Sequence, residues 1–342
     1  SLFLVGRGHR VTVYCQVDEG EQWREDDWKG IHRVLIPSPD TSMGTIRFDW
    51  KTTLDCSRRK GVILTLGYNT GIFSAVNRFR GSANVMNMDG IEWKREKWSF
   101  GQRVWLWFNE WAGSRSAHHL VADHPKIKEH LRRHTSAGKI TVIPYGADAV
   151  TFAPVDALQE FGVTSKGYYL VIARPEPENS ILEIVKAFSS SRVGSPLVVL
   201  GNYAGERSEY KQQVLDAAAP NVQFVGAIYD REIVRSLRFH AKAYIHGHRV
   251  GGTNPSLVES LSAGNAIVAH DNQFNRWVAG PGASFFKDTQ ALEEILVDLE
   301  SDPTQLLAME QASRQRHGDE FTKEKILIAY EELLLRTLQE HE

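Results

Sequence analysis

Between Ala243 and His270 the chain runs Ala-Tyr-Ile-His246, then Gly247-His-Arg-Val-Gly-Gly-Thr-Asn254, then Pro255-Ser-Leu-Val-Glu-Ser-Leu-Ser-Ala263, then Ala266-Ile-Val-Ala-His270. A short apolar run, a glycine loop, a helix-length segment and a second apolar run define a βαβ unit, because parallel strands need a crossover of that kind. The apolar runs do not alternate with polar residues, as expected of strands covered on both faces. Gly251, Gly252 and Thr253 fall just before the helix, where backbone N–H groups can face an anion. The two glycines tolerate positive φ and leave no Cβ in a ligand's way. Pro255 suits a helix's first turn, and Glu259 lies one turn further in, facing the same crevice.

The alternation extends along the chain. Residues 168–173, 196–200, 222–225, 243–246, 266–270 and 284–286 read as strands, with helices over 181–189, 208–217 and 230–239 between them. In the first half, residues 11–15, 31–36, 62–66, 83–87, 119–122 and 139–143 are similar apolar or β-branched runs, which predict one parallel sheet there. Apolar spacing of three and four from Thr289, and again over 322–338, predicts closing helices. A chain of 342 residues is long for one core, so two Rossmann-like domains are expected. These are 1–150 and 151–318, with 319–342 as a final helix. The fold class is α/β, and ligands of such sheets bind beyond the carboxyl ends of the strands.

Composition narrows the function. Forty basic against 42 acidic residues, a net charge of −2, exert no pull on nucleic acid. Cys15 and Cys56 lack metal-ligand spacing, which fits a reduced, cytoplasmic protein. No apolar run approaches the ~18 residues of a membrane span. The opening Ser-Leu-Phe-Leu-Val-Gly-Arg-Gly-His reads as the end of a helix, so a first strand is expected upstream. No Gly-x-Gly-x-x-Gly follows a strand, which disfavours a nicotinamide enzyme. His246, His248 and His270 lie at strand ends without a carboxylate or cysteine cluster, so no metal site and no cofactor are expected.

Gly251-Gly-Thr-Asn-Pro-Ser-Leu-Val-Glu-Ser-Leu-Ser-Ala-Gly-Asn265 followed by Asp271-Asn-Gln-Phe-Asn-Arg276, together with Asn87-Met-Asp-Gly-Ile-Glu-Trp-Lys-Arg95 and Ala173-Arg-Pro-Glu-Pro-Glu-Asn179, resembles the retaining, family 4 type of glycosyltransferase. Within that type it is most similar to the bacterial rhamnosyltransferase-like branch of surface polysaccharide synthesis. The resemblance implies the GT-B architecture, with two domains facing across a cleft and the last helix packing back on the first. It also implies a nucleotide-sugar donor, dTDP-linked, and a saccharide or lipid-linked saccharide acceptor.

Arg174 directly follows a strand, and a guanidinium can hold two phosphate oxygens at once; the plainer reading is a surface arginine paired with Glu176 or Glu178. The resemblance places Asn179 where the family carries a lysine, and gives Glu259 the ribose hydroxyls. It puts Gly251 where a second glutamate is usual, leaving the sugar to the backbone of Gly251, Gly252 and Thr253 and the amide of Asn254. A donor with fewer hydroxyls fits such a loop, since an unmade buried hydrogen bond costs ~1–3 kcal/mol. Gly226 and Ile228 resemble the stretch beside the nucleobase. The resemblance implies that Asp89 touches the sugar or orients the acceptor, with Glu92 as its rival; a helix N-cap is the plainer reading of Asp89. Retention without a placed nucleophile implies front-side attack, in which the leaving phosphate takes the proton.

Residues 93–111 interleave Trp93, Trp98, Phe100, Trp105, Trp107, Phe108 and Trp111 with Lys94, Arg95, Lys97 and Arg103. Trp107 and Trp111 are one turn apart, which favours a buried aromatic stripe. The second reading is peripheral contact with a membrane carrying a lipid-linked acceptor. Function is thus expected to be transfer of a sugar, rhamnose from dTDP-rhamnose. A nucleotide-sugar epimerase or a non-catalytic nucleotide-sugar-binding protein are the alternatives.

Overall fold

A computed structural model describes residues 1–95, 98–191, 193–203 and 208–341. The chain divides into two compact units, residues 1–144 with 327–342, and residues 145–326. The first unit runs α1 (Leu2–Gly6), β1 (Val11–Val17), β2 (Arg24–Trp28), β3 (Ile31–Pro37), α2 (Ser42–Cys56), β4 (Val62–Leu66), α3 (Ser74–Phe79), β5 (Ala83–Asn87), α4 (Phe100–Ser116), β6 (His119–Ala122), α5 (Pro125–Leu131) and β7 (Ile140–Val142). Its strands form two sheets, β1-β3-β2 and the parallel β4-β5-β6-β7, where one sheet was expected.

Strand β2 escapes an apolar-run criterion because it reads Arg-Glu-Asp-Asp-Trp. It pairs antiparallel with β3 through a tight turn in which Lys29 and Gly30 both have positive φ, 51° and 78°, the requirement of a hairpin turn that matches strand twist. Asp26 then meets Arg33 across the ladder at 2.7 Å.

Helix α4 corrects the expectation of a buried aromatic stripe. Trp105, Trp107 and Phe108 are 39%, 47% and 38% exposed, whereas Leu106, Asn109, Glu110, Ala112 and Gly113 face inward. Close packing explains the choice. A Cβ on Gly71 would stand 2.4 Å from the Asn109 carbonyl oxygen, and one on Gly113 would stand 2.8 Å from Met86 Sδ, so at these contacts the inner face has no room for a ring. Lys97 lies outside the described residues.

The second unit carries β8 (Tyr169–Ile172), α6 (Ile181–Ser190), β9 (Leu197–Leu200), α7 (Glu209–Asp216), β10 (Val222–Gly226), α8 (Arg231–His240), β11 (Ala243–His246), α9 (Pro255–Ser262), β12 (Ala266–His270), α10 (Gln273–Ala279), β13 (Ser284–Phe286), α11 (Thr289–Ser301) and α12 (Pro303–Glu320). All six strands are parallel, in the order β10-β9-β8-β11-β12-β13. Alternate residues of the first strand enter opposite cores: Tyr169 and Val171 pack with Ile184 and Phe188, while Leu170 packs with Tyr244, Leu257 and Ile267. Burying each large aliphatic side chain stabilises the fold by about 1.5–3 kcal/mol. Asp230, Asn254 and Asn272 cap α8, α9 and α10 with their side-chain oxygens, fixing where each helix begins and hence how long each preceding loop is.

Helix α13 (Lys323–Gln339) starts in the second unit and belongs to the first from Leu327. There Tyr330 Oη accepts from Asn87 Nδ2 at 2.8 Å, and Glu331 pairs with Arg7 and His9. Among the described residues, no helix is long and apolar enough to cross a membrane.

Candidate functional site

In the second unit the chain winds outward from β8 through β9 to β10, then returns beside β8 with β11 and winds the other way. The carboxyl ends of β8 and β11 therefore diverge into loops on opposite sides, the switch point at which open α/β sheets bind ligands. The loop after β8 holds Arg174 and Asn179; the loop after β11 holds His248, Arg249, Gly251, Gly252, Thr253 and Asn254.

Asn179 joins the two loops. Its Nδ2 donates to the Arg174 carbonyl oxygen at 2.9 Å, and its Oδ1 lies 2.6 Å from His248 Nδ1. The side chain is buried and committed to positioning both loops. Gly247 permits the approach: a Cβ there would come within 2.1 Å of the Asn179 carbonyl oxygen. Arg249 adds a second tie, donating to the Pro177 carbonyl oxygen at 2.7 Å and meeting Glu183 at 3.2 Å. Sequence reasoning passed over Arg249, although its place just past a strand end was the available signal. On the far side, Asn272 and Asn275 both donate to the His248 carbonyl oxygen, at 3.0 and 2.8 Å, so the loop after β12 is held to the same frame.

The arginine itself is open. Arg174 is 68% exposed at its side chain, and its contact with Glu176 is a long 3.7 Å. An exposed pair at that distance contributes little, so the guanidinium can exchange it for a phosphate at small cost.

Gly251 has φ of 121°, a backbone conformation that side chains with a Cβ rarely adopt. A Cβ at this position would also press on His248 Nε2 at 3.3 Å. Asn254 does something other than expected: its Oδ1 accepts from Ser256 N at 2.9 Å and caps α9. The loop thus ends in a capped helix N-terminus, where the partial positive charge of the helix lies. Thr253 is buried. Glu259 pairs with the largely buried Arg238 at 2.6 Å, and Arg238 also reaches Ser256 Oγ at 3.1 Å. The glutamate's carboxylate is therefore held in place by a cation that the sequence did not single out.

Three imidazoles collect at the ends of β11 and β12. Burial pushes His246 down to about 3, with His248 and His270 acting in the same direction, so its ring is neutral at pH 7. His270 is lowered too, by burial and then by Arg249. Among the described residues, His246 Nε2 and His270 Nδ1 are buried without a hydrogen-bond partner. At the neighbouring strand ends, Gly201 N donates to the Gly226 carbonyl oxygen at 2.9 Å, with Gly226 at φ of 80° after a bulge in β10. Ile228 packs against the core beside it, while Tyr229 is 90% exposed.

Asp89 and Glu92 belong to the first unit, in the loop after β5. Asp89 has φ of 49°, a left-handed conformation costing on the order of 1–3 kcal/mol in a residue other than glycine. It is not a helix cap; Ile91 precedes the short turn Glu92–Lys94. Asn87 Oδ1 accepts from Asp89 N at 2.9 Å and fixes the turn. Glu92 is engaged: Arg95 reaches one carboxylate oxygen at 3.0 Å and Trp98 Nε1 the other at 3.4 Å.

A further cluster went unread in the sequence. Glu110, His130 and His134 bring one ligand atom each within 4.8 Å of one another. His130 and His134 stand four positions apart, but Glu110 lies 20 residues before His130, so no spacing joins the three.

Residues 159–316 match the family described as Glycosyl transferases group 1, and residues 45–148 match one described as Domain of unknown function (DUF1972). No curated protein matches the chain. Among solved structures, it is similar to a sucrose-phosphate synthase from Thermosynechococcus elongatus, with 16% identity, coverage of 97% of this chain and 90% of that one, and a TM-score of 0.76. A glycosyltransferase from Rickettsia africae gives 13% identity, coverage of 98% and 92%, and a TM-score of 0.76. HepE of Anabaena, in complex with UDP-glucose, gives 16% identity, coverage of 88% and 86%, and a TM-score of 0.73. These likenesses show the fold, α/β of the GT-B class. The second unit carries a glycosyltransferase group 1 domain, which supports a glycosyltransferase.

Proposed function

We propose that the chain is a retaining glycosyltransferase of the family 4 type that moves rhamnose from dTDP-rhamnose to a saccharide or lipid-linked saccharide in surface polysaccharide synthesis. The observation that carries this reading is the pair of loops at the switch point between β8 and β11, tied by the 2.6 Å contact of Asn179 with His248. The open guanidinium of Arg174 and the backbone amides at the head of α9 suit a diphosphate, with Arg249 as the second positive charge. The ribose hydroxyls donate to Glu259, whose orientation Arg238 fixes. The base lies against Gly226 and Ile228.

In this reaction the bond between the anomeric carbon and the phosphate oxygen breaks, and the acceptor oxygen bonds to that carbon on the same face. The acceptor's proton passes to the departing phosphate oxygen, and Arg174 with the loop amides stabilises the remaining charge. Asp89 hydrogen-bonds the sugar or aligns the acceptor; Glu92, held by Arg95 and Trp98, supports the loop. Neutral His246 adds no positive charge to compete for the phosphates. The loop's lack of a carboxylate at Gly251 favours a deoxy sugar over glucose, because a hydroxyl left without a partner costs ~1–3 kcal/mol. The outward Trp105, Trp107 and Phe108 of α4 support peripheral membrane contact, where a lipid-linked acceptor would reside.

Nucleoside diphosphate release, followed with dTDP-rhamnose and with UDP-glucose over a panel of saccharide acceptors, tests the proposal. The expected result is acceptor-dependent release, faster with dTDP-rhamnose, and a product of unchanged anomeric configuration by NMR. Equal or faster turnover with UDP-glucose would remove the rhamnose assignment. Isomerised donor without acceptor would indicate an epimerase, and tight binding with no turnover a binding protein.

A further inference from the structure

Burying a carboxylate is costly unless a cation or several hydrogen bonds compensate it. Glu110, on the inner face of α4, has a side chain only 1% exposed. Its Oε1 lies 2.7 Å from His130 Nε2 and 3.3 Å from His134 Nε2. Its Oε2 accepts from Trp93 Nε1 at 3.0 Å. The two histidines stand four positions apart, on the last turn of α5 and in the turn that follows, and their rings are nearly perpendicular at 81°. Both Nε2 atoms thus aim at one oxygen from different directions, while the indole fixes the carboxylate from its other side.

We infer that Glu110, His130 and His134 form a binding site for a divalent transition-metal ion of the zinc class. The chemistry fits on three counts. Two imidazole nitrogens and one carboxylate oxygen are the donor set that zinc takes when a fourth position is left to water. Ligand atoms within 4.8 Å of one another can close on a single ion by small rotations, since bonds of about 2.0–2.2 Å on either side span nearly that distance. Trp93 supplies the outer contact that orients a ligating carboxylate. His134, the most exposed of the three at 16%, leaves a path for the ion and its water.

The consequence is mechanical. An ion there joins α4 to the end of α5 and, through Trp93, to the turn Glu92–Lys94 that follows Asp89. It would stiffen the loop after β5 in the first unit, and none of its ligands belongs to the donor loops, so this inference stands apart from the transfer reaction.

Titration of the chelator-treated full chain with Co(II), followed by visible absorption, and competition with Zn(II) test it. The expected result is uptake of a single ion per chain with ligand-field bands in the visible, and a melting temperature that rises with zinc as binding to the folded form alone requires. His134→Gln and Glu110→Gln should abolish the bands while far-UV circular dichroism stays unchanged. Trp93→Phe should weaken zinc binding by about 10-fold or more, as loss of an outer contact does. Failure of the folded wild-type chain to take up either ion would overturn the site and leave the cluster as a hydrogen-bonded carboxylate. Uptake undiminished in a His130→Gln, His134→Gln double variant would overturn it too, assigning the ion to other histidines.

Discussion

The loops after β5 and β11 solve the same geometric problem with opposite materials. Each turns the chain beyond a parallel strand through a residue of positive φ, Asp89 at 49° in one and Gly251 at 121° in the other. At Gly251 the absence of a side chain clears space beside a capped helix N-terminus, where the proposed diphosphate would meet the backbone itself. At Asp89 a carboxylate is kept in a strained conformation where glycine would be more comfortable. The contrast teaches that the loop after β11 is built around what must be left out and the loop after β5 around what must be held in place.

Substitutions at these two positions sharpen the contrast. Gly251→Val should have the larger effect. The new side chain meets both an unfavourable φ and the His248 ring, so donor affinity should fall by about 100-fold, corresponding to roughly 1–3 kcal/mol of backbone strain plus a lost amide contact. Isothermal titration with dTDP measures this, and unaltered affinity would mean that the glycine is only a turn residue. Asp89→Gly should act in the opposite sense on the fold. Thermal melting should stay level or rise, by up to ~1 kcal/mol in stability, while transfer slows by about 10-fold or more. Unchanged transfer would strip Asp89 of any part in the reaction.

How far the sequence carries differs between these regions for a physical reason. Strands buried on both faces declare themselves as apolar runs; β11 and β12 lie at 243–246 and 266–270, as expected from those runs. Four of the five residues of strand β2 are charged and it is held by cross-strand pairs with β3, so no apolar run could reveal it. The glycine loop was legible because positive φ favours one residue type. The partner of Asn179 was not, since His248 is 69 residues away and the contact depends on how two loops fold toward each other. For the same reason Asn254 was read as a sugar contact, whereas its oxygen caps α9, and Glu259 was read without Arg238. On α4 the aromatic spacing pointed inward, but Gly71 and Gly113 pack too closely for rings, and the outer face took them.

Amide hydrogen exchange with and without dTDP tests most directly whether the diphosphate rests on the loops between β8 and β11. Added nucleotide should slow exchange at the amides of residues 251–253 and the first turn of α9, and in the segment around Arg174, in the wild-type chain at saturating ligand. Protection confined to other strand ends, with exchange at 251–253 unaltered despite measured binding, would contradict the account.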